Sequence, residues 1–331
     1  MAICFNIFSI QINKRKLMKV RYGYCCINRT LSAEEGVRVT RSIKKKTFEE
    51  KGIEHAGNLA LENIRDLVEI IKWNEANGIR LYRLSGNMFP WMSEYELKDL
   101  PTYRRIKTLL EGIGYYVKKY NHRLTFHPGA FCVLASLNPK VVTNSIKELN
   151  QHGEIMDLIG LPRNHWAPIN IHVNTAQGGK EEALKRFCER FPLLDESVRT
   201  RLVIENDDKK AQYSVKDLKE GISDVIGCPV MFDYHHHWCY EDPMPVQEAF
   251  ELARSTWPEG IRQCTHYSSC RKLYEDESVV NRAHADYIYE PIPTFGYEVD
   301  VELEAKAKEL AVIKYKKDMF NKVAEESFSF V

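Results

Sequence analysis

The run "PVMFDYHHH", residues 229–237, joins a short apolar stretch to an aspartate and three consecutive histidines. A short apolar run between a proline and a polar cluster is typical of a buried strand, which here would end at Asp233. Histidine runs are also common in solvated loops, so this run alone does not decide between a strand end and a loop. The interpretation depends on whether other apolar stretches of the chain end in the same kind of residue.

Eight short apolar runs rich in Val, Ile and Tyr predict strands, at residues 19–25, 80–85, 123–126, 168–173, 201–205, 229–233, 261–266 and 298–303. Helical periodicity predicts helices between them, at residues 58–76, 102–119, 139–158, 180–191, 214–225, 245–256 and 278–287, and from about 304. Strands that alternate with helices pair in parallel, in an open doubly wound sheet or a closed barrel. No Gly-x-Gly-x-x-Gly follows the first strand, which favours a single (β/α)8 TIM barrel.

Composition sets limits on the class of protein. The chain has 331 residues, a formal net charge of +1 and nine cysteines without a C-x-x-C pair. The charge neither indicates nor excludes nucleic acid, and the cysteine pattern predicts a reducing intracellular compartment, cytoplasm or nucleus. We expect an N-terminal extension at residues 1–17, too short to span a membrane, before a barrel at 18–331. Organellar targeting by the extension stays open, and we expect a monomer without membrane association.

Six consecutive predicted strands carry, within one residue of their ends, a residue type that binds metal ions: His127, His172, Glu205, Asp233, His266 and Glu304. A barrel would bring these side chains together around one axis, because each is about one βα unit from the next. Converging carboxylates repel one another unless a cation neutralises them, although a single strand-end residue is more often a helix cap. Imidazole mixed with carboxylate suits manganese, zinc or iron. With His236 and His284 the set exceeds what one ion uses, so we expect several ions, with Glu205 bridging two.

Closely spaced divalent ions favour phosphoryl chemistry, and a polyanionic substrate fits such a site. The basic loop at residues 38–46 and the pair Arg271 and Lys272 are candidates for phosphate contacts, although solvated lysines are the more usual explanation of such a loop in isolation. Candidate stacking surfaces, with rim packing as the alternative, are the aromatics Tyr24, Phe131, Trp238 and Tyr267. His235 and His237 are expected outside the ligand set, behind it or facing solvent.

An ordered series of motifs covers residues 19 to 312: "GYCCIN", "YRLSGNMFP", "TFHPG", "INIHVN", "LVIEND", "FDYHHH", "THYSS", "HADYI" and "VELEAKAKEL". In this series the chain resembles the ultraviolet damage endonucleases. The resemblance implies a TIM barrel related to endonuclease IV, with up to three metal ions, usually manganese. It also implies a DNA repair enzyme that nicks damaged duplex immediately 5′ to pyrimidine dimers and 6-4 photoproducts, leaving a 3′-hydroxyl and a 5′-phosphate.

The resemblance also assigns roles to residues. One ion would be held by His127, His172 and Glu205, a second by Glu205, Asp233, His266 and Glu304, and a third by His236 and His284. Glu205, Asp233 and Glu304 would be catalytic. Tyr24 and Asn28 fall on positions near the DNA and the scissile phosphate.

Three positions depart from the family pattern. Ala130 stands where the family usually has Gln, before Phe131, and this puts lesion recognition in doubt. Cys264 replaces a lysine that lies beside the metals, and Asn87 occupies a position that is more usually serine. Two alternatives therefore stay open: a lesion-binding protein that no longer cuts, and a metal-dependent sugar isomerase on a related barrel.

Overall fold

The computed structural model describes residues 20–328, so the predicted extension at 1–17 lies outside the described residues. Eight parallel strands close into a barrel in chain order, which confirms the predicted (β/α)8 architecture. The strands are β1 Arg21–Cys25, β2 Leu81–Ser85, β3 Arg123–His127, β4 Ile169–Ile171, β5 Leu202–Glu205, β6 Val230–Asp233, β7 Cys264–Tyr267 and β8 Asp300–Leu303. Each lies within or at the edge of a predicted strand, because the apolar runs are buried on both faces.

Helices surround the barrel. They are α1 Arg29–Glu34, α2 Lys45–Ala76, α3 Tyr103–Tyr120, α4 Pro139–Ile159, α5 Lys180–Arg190, α6 Glu196–Arg199, α7 Val215–Leu218, α8 Asp224–Ile226, α9 Tyr234–Tyr240, α10 Val246–Arg254, α11 Arg271–Tyr274 and α12 Glu309–Phe328. A short π-helix at Lys219–Ser223 lies between α7 and α8. Short 3-10 turns occur at Met92–Glu94, Leu97–Asp99 and Phe191–Leu193.

The predicted helix at residues 278–287 is wrong, since this segment is irregular after the short helix α11. The Glu275 carboxylate accepts hydrogen bonds from the backbone N–H groups of Asp286 (2.6 Å) and Tyr287 (3.4 Å). The backbone N–H of Tyr289 donates to the Ser269 hydroxyl at 3.1 Å. Side chains thus satisfy backbone groups that a helix would otherwise pair, and the loop stays extended enough to return to β8.

Side chains on each strand alternate between the barrel interior and the helices. On β5, Leu202 and Ile204 join the large core beneath the helices, whereas Val203 packs inside the barrel with Leu81 and Met231. Glu205 follows Val203 on the inner face, one layer nearer the carboxyl ends of the strands. The strand pairing also sets Asp233 level with His266. Inward polar side chains at the strand ends therefore share one layer.

Glycine is required where two strands approach closely. A Cβ built at Gly23 on β1 would lie 2.3 Å from the backbone oxygen of Leu81 on β2. The eight cysteines within residues 20–328 are all free thiols. No helix among the described residues is long and apolar enough to cross a bilayer.

Candidate metal centre

Glu205, at the end of β5, lies at the centre of the site. One carboxylate oxygen, Oε2, is 3.2 Å from His127 Nε2 and 3.4 Å from His172 Nε2. The other oxygen, Oε1, is 3.0 Å from His266 Nδ1 and 3.3 Å from His236 Nδ1. Each oxygen therefore faces two imidazoles, which is the arrangement expected of a carboxylate shared between two ions.

Two groups of residues could each hold a metal ion, because within each group the potential ligand atoms all lie within 4.8 Å of one another. The groups are His127, His172 and Glu205, and Glu205, Asp233 and His266. Both groups contain Glu205, as the sequence predicted for a bridging residue. Further contacts hold the imidazoles in these orientations. His127 Nδ1 is 2.9 Å from the Pro128 carbonyl oxygen, and His172 Nδ1 is 3.1 Å from the Asp207 carboxylate.

Asp233 ends β6 and also caps α9, where its Oδ1 accepts the backbone N–H of His236 at 2.7 Å. Its second oxygen, Oδ2, is buried and has no hydrogen-bond partner among the described residues. Burial raises the pKa of Asp233, and the neighbouring carboxylates of Glu205 and Glu304 raise it further. A buried carboxylate oxygen without a donor is costly, so this atom fits a divalent cation better than an empty protein interior.

Glu304 follows β8 and ion-pairs with Arg83. Its carboxylate oxygens are 3.5 Å from His266 Nδ1 and 3.8 Å from His284 Nδ1. Glu304 and His284 thus border the two groups, at the place where the resemblance put a third ion. His236 joins the same region, and its Nδ1 lies 2.9 Å from the Asn206 carbonyl oxygen.

The charges within the cluster depend on one another. Burial by itself would raise the pKa of Glu205, but the imidazoles, His266 foremost, hold it well below its usual range. Burial opposes protonation of His266 too, and Glu205 and Glu304 nevertheless raise its pKa well above the usual value. Without cations, protonated histidines therefore supply the positive charge, and a divalent ion would take the place of those protons.

His235 and His237 lie outside the two groups and are both buried, so a solvent-facing position is wrong for them. His235 stacks on Trp238 with ring centroids 5.8 Å apart. His237 directs Nε2 to the carbonyl oxygen of Met244 at 3.0 Å. Helix α9 explains this division, since consecutive helical residues point in different directions and only some can reach the barrel axis.

The predicted DNA-contacting residues divide by exposure. Phe131 is 92% exposed, Lys272 is exposed and Arg271 is partly exposed. The expectation that Tyr24 offers a stacking surface on the rim needs correction, because its side chain is buried, as is that of Asn28. The Tyr24 hydroxyl donates to Asn74 Oδ1 at 2.7 Å and accepts from Asn28 Nδ2 at 2.9 Å, which holds the pair in the interior.

The remaining surface candidates also divide. Trp238 is 45% exposed, whereas Tyr267 is only 6% exposed and cannot offer a stacking face in this structure. In the basic loop, Arg41 is bound to Asp66 at 2.7 Å, and Lys45 is 3.7 Å from Glu49 on its own helix. Part of the loop's charge is therefore already paired within the protein.

Sequence reasoning missed four polar residues in or beneath the cluster: Arg83, Asn170, Asp207 and Glu302. Asn170 donates to Glu205 Oε2, and Glu302 lies 3.1 Å from His266. The available signal was alternation: Asn170 is two residues before His172, and Glu302 is two residues before Glu304, so each pair shares the inner face of its strand. The prediction considered the last residues of each strand and therefore did not include the inward-facing residues one layer below them.

Comparison with known proteins agrees with these features. A family model described as UV-endonuclease UvdE matches residues 20–330. The chain belongs to this family. A UV-damage endonuclease of Schizosaccharomyces pombe is 34% identical over 303 residues, covering 89% of this chain and 50% of that protein. A UV DNA damage endonuclease of Bacillus cereus strain G9842 is 31% identical over 308 residues, covering 90% of this chain and 93% of that protein.

The chain spans about half the length of the fungal relatives it matches. It covers 50% of the Schizosaccharomyces pombe protein and 42% of a Neurospora crassa UV-damage endonuclease. Among solved structures, the crystal structure of SacUVDE has a TM-score of 0.78 and 31% identity, covering 91% of this chain and 98% of that one. Endonuclease IV from Thermus thermophilus, with a TM-score of 0.50, 14% identity, and coverage of 92% and 99%, shares the fold. The family and fold predicted from the sequence are thus confirmed.

Proposed function

We propose that this protein is a metal-dependent DNA repair endonuclease, a hydrolase that nicks DNA immediately 5′ to ultraviolet photoproducts. Pyrimidine dimers and 6-4 photoproducts would be its substrates, and the nick would leave a 3′-hydroxyl and a 5′-phosphate. The observation that carries the proposal is Glu205, whose two oxygens each face two imidazoles beside the unpaired buried oxygen of Asp233. Membership of the UvdE family supports the choice of substrate.

The donor set fits two or three divalent ions, manganese first, with zinc or iron as alternatives. His127, His172 and Glu205 would hold one ion, and Glu205, Asp233, His266 and Glu304 a second. His236 and His284 would hold a third. When bound, such ions activate water for attack on a phosphodiester and stabilise the charge on the leaving oxygen.

The chain's own groups have separate parts in this proposal. Glu205, Asp233 and Glu304 would fix the ions and supply the negative charge that retains them. Arg83, paired with Glu304, keeps that carboxylate ionised, since burial raises its pKa but the guanidinium and His266 lower it well below its usual range. Phe131 would contact the distorted duplex, and Arg271 and Lys272 its phosphates.

We further propose that the protein acts as a monomer on double-stranded DNA inside the cell, in the cytoplasm or nucleus. The free thiols of all eight cysteines within residues 20–328 support a reducing compartment. The exposed Phe131 and Lys272 support a surface that meets a polyanion with unstacked bases. Retention of Phe131 beside Ala130 supports continued use of an aromatic probe without its usual amide neighbour.

A plasmid assay tests the activity. Irradiated and unirradiated supercoiled plasmids are incubated with protein and Mn²⁺, with a chelator in parallel, and the ends of the nicks are mapped by primer extension. We expect nicked circles from irradiated plasmid alone, with breaks directly 5′ to dipyrimidine sites, and none with chelator. Retarded but intact plasmid would instead identify a lesion-binding protein, and turnover of ketoses without nicking would identify a sugar isomerase.

A further inference from the structure

The inner face of β8 and the residue that follows the strand carry three carboxylates in successive layers of the barrel: Asp300, Glu302 and Glu304. The middle one, Glu302, is completely buried beneath the cluster. Its Oε1 accepts the hydroxyl of Thr125 and lies 4.0 Å from the Cys264 thiol. Its Oε2 is 3.1 Å from His266 Nε2, an ion-pair distance without hydrogen-bond alignment, and 3.8 Å from Arg83. None of the roles implied by the family resemblance falls on this residue.

His266, like His236 but unlike His127 and His172, presents Nδ1 to the Glu205 carboxylate. His127 and His172 direct Nε2 toward the Glu205 carboxylate, whereas His266 directs Nδ1, at 3.0 Å. The Nε2 atom of His266 therefore points down to Glu302. A neutral imidazole has one N–H and one lone pair, so an ion bound at Nδ1 requires the proton to be on Nε2.

A carboxylate beside Nε2 favours that tautomer, as carboxylates do behind many metal-bound histidines. Packing alone gives no reason for a carboxylate here, since a buried charge costs more than an apolar residue of similar volume. Arg83 lies farther from Glu302 than His266 does and is already paired with Glu304. Burial raises the pKa of the Cys264 thiol well above its usual value, so this neighbour stays a neutral thiol.

We propose that Glu302 is a positioning residue that holds the proton on Nε2 of His266 and so presents Nδ1 to the ion shared with Glu205 and Asp233. The proposal rests on the metal centre of the proposed function. Glu302 would therefore strengthen the binding of one ion of the cluster, the ion that His266 holds. The other histidine ligands, which do not touch Glu302, keep their ions without it.

Zn²⁺ binding by the metal-free full chain tests this role, measured by competition with a chromophoric chelator. Glu302→Gln keeps the volume but removes the charge, so the N–H at Nε2 loses its carboxylate acceptor. We expect one Zn²⁺ to bind roughly 10- to 100-fold more weakly, with the remaining ions unchanged. The ¹⁵N chemical shift of His266 Nε2 should also move in the Zn²⁺-loaded protein, because its N–H loses a carboxylate acceptor.

Asp300→Asn is the matched control, because Asp300 is equally buried on the same face of β8 but contacts Arg123 and Arg262 instead of a histidine. It should lower stability and leave Zn²⁺ affinity as in the wild type. Equal losses of Zn²⁺ affinity in the two variants would reduce Glu302 to a structural residue and overturn the inference. Unchanged affinity and ring shifts in Glu302→Gln would overturn it as well.

A second variant covers the case in which Glu302→Gln does not fold. Glu302→Asp retains the charge but moves it away from His266 by one methylene, so the affinity for the same Zn²⁺ should fall by a smaller factor. An affinity equal to that of the wild type would count against the role. Wild-type protein that takes up no Zn²⁺ would overturn the proposed function and this inference together. Normal uptake by the wild type and by Glu302→Gln overturns the inference alone.

Discussion

The two ends of the barrel differ in how the charges of their buried carboxylates are balanced. At the amino-terminal end, Asp300 is buried against Arg123 at 3.0 Å and Arg262 at 3.1 Å. Arg123 also donates to the carbonyl oxygens of His165 and Trp166, and it lies 4.8 Å from the centre of the Trp166 ring. Asp300 therefore has both of its cationic partners within the protein, and we call this end the closed end.

The carboxyl-terminal end, the open end, has an excess of acids. Five carboxylates lie there, those of Glu205, Asp207, Asp233, Glu302 and Glu304. Among the described residues one guanidinium, Arg83, ion-pairs with two of them, and the other partners are histidines that carry charge only when protonated. One oxygen of Asp233 has no hydrogen-bond partner among the described residues. A closed end supplies its own counter-ions and serves stability, whereas an open end of this kind requires cations from outside and serves chemistry.

Removal of the central carboxylate of the open end should have the largest effect on activity. Glu205→Ala deletes the group that faces both ligand sets, and we expect nicking of irradiated plasmid to fall by roughly 1000-fold or more. The exposed glutamate Glu182 on α5 provides a matched control, Glu182→Ala, which should cut at the wild-type rate. Wild-type cutting by Glu205→Ala would refute the proposed centre.

The corresponding break at the closed end affects stability instead. Asp300→Asn leaves Arg123 buried without its anionic partner, and we expect the free energy of unfolding in urea to fall by about 3–5 kcal/mol. Adding Arg123→Met removes the uncompensated charge and should restore part of the loss. Near-normal stability of Asp300→Asn, within about 1 kcal/mol, would show that the closed end is not held by this ion pair.

Low pH destabilises the closed end, because His165 is held neutral there. Burial, and then the charge of Arg123, lower its pKa to about 4. The unfolded chain keeps an ordinary pKa near 6.5, so it binds more protons between these values, and stability falls as the pH drops from about 6.5 to 4. We expect up to about 1.4 kcal/mol per pH unit from this residue.

Urea unfolding at pH 7 and pH 5 measures the effect. His165→Gln cannot take up the proton, so its stability should change less between the two pH values than that of the wild type. Identical pH dependence in both proteins would mean that His165 is not held neutral by its surroundings.

The smallest expected effect concerns aromatics at the two ends. Trp166 and Trp257 of the closed end lie against the Arg123 guanidinium, whereas Phe131 is 92% exposed. Phe131→Ala should leave unfolding within about 0.5 kcal/mol of the wild type and weaken binding of irradiated duplex by about 1 kcal/mol, roughly fivefold in Kd. Tyr115→Ala, which truncates another exposed aromatic on α3, should leave binding unchanged. Equal affinities of the two variants would remove Phe131 from the proposed DNA contact.

The sequence predicted the barrel and most of the open end because both follow from local pattern. Short apolar runs identified all eight strands, and a ligand-type residue at the ends of six of them identified a layer that parallel closure must bring together. The loop at residues 278–287 was mistaken for a helix, since its apolar spacing is helical but Glu275 and Ser269 take its backbone hydrogen bonds. Such contacts between distant residues leave no periodic signal.

The burial of Tyr24 and the position of Glu302 were missed for a related reason. Tyr24 looks like a rim residue near the end of β1, and its burial depends on Asn74, fifty positions away on α2. Glu302 reads as a polar residue inside a strand, and its partner His266 belongs to another strand. Pairings of this kind depend on the register of the closed barrel, which the spacing of motifs does not define.

The proposed function requires cations at the open end, and counting the bound ions tests it most directly. Metal-free protein is titrated with Mn²⁺ or Zn²⁺ beside the Glu205→Ala variant, and the bound ions per folded chain are measured by elemental analysis. We predict two or three tightly bound ions per wild-type chain and at least two fewer in the variant. A folded wild-type chain that binds none, or a variant that binds as many as the wild type, would contradict the account.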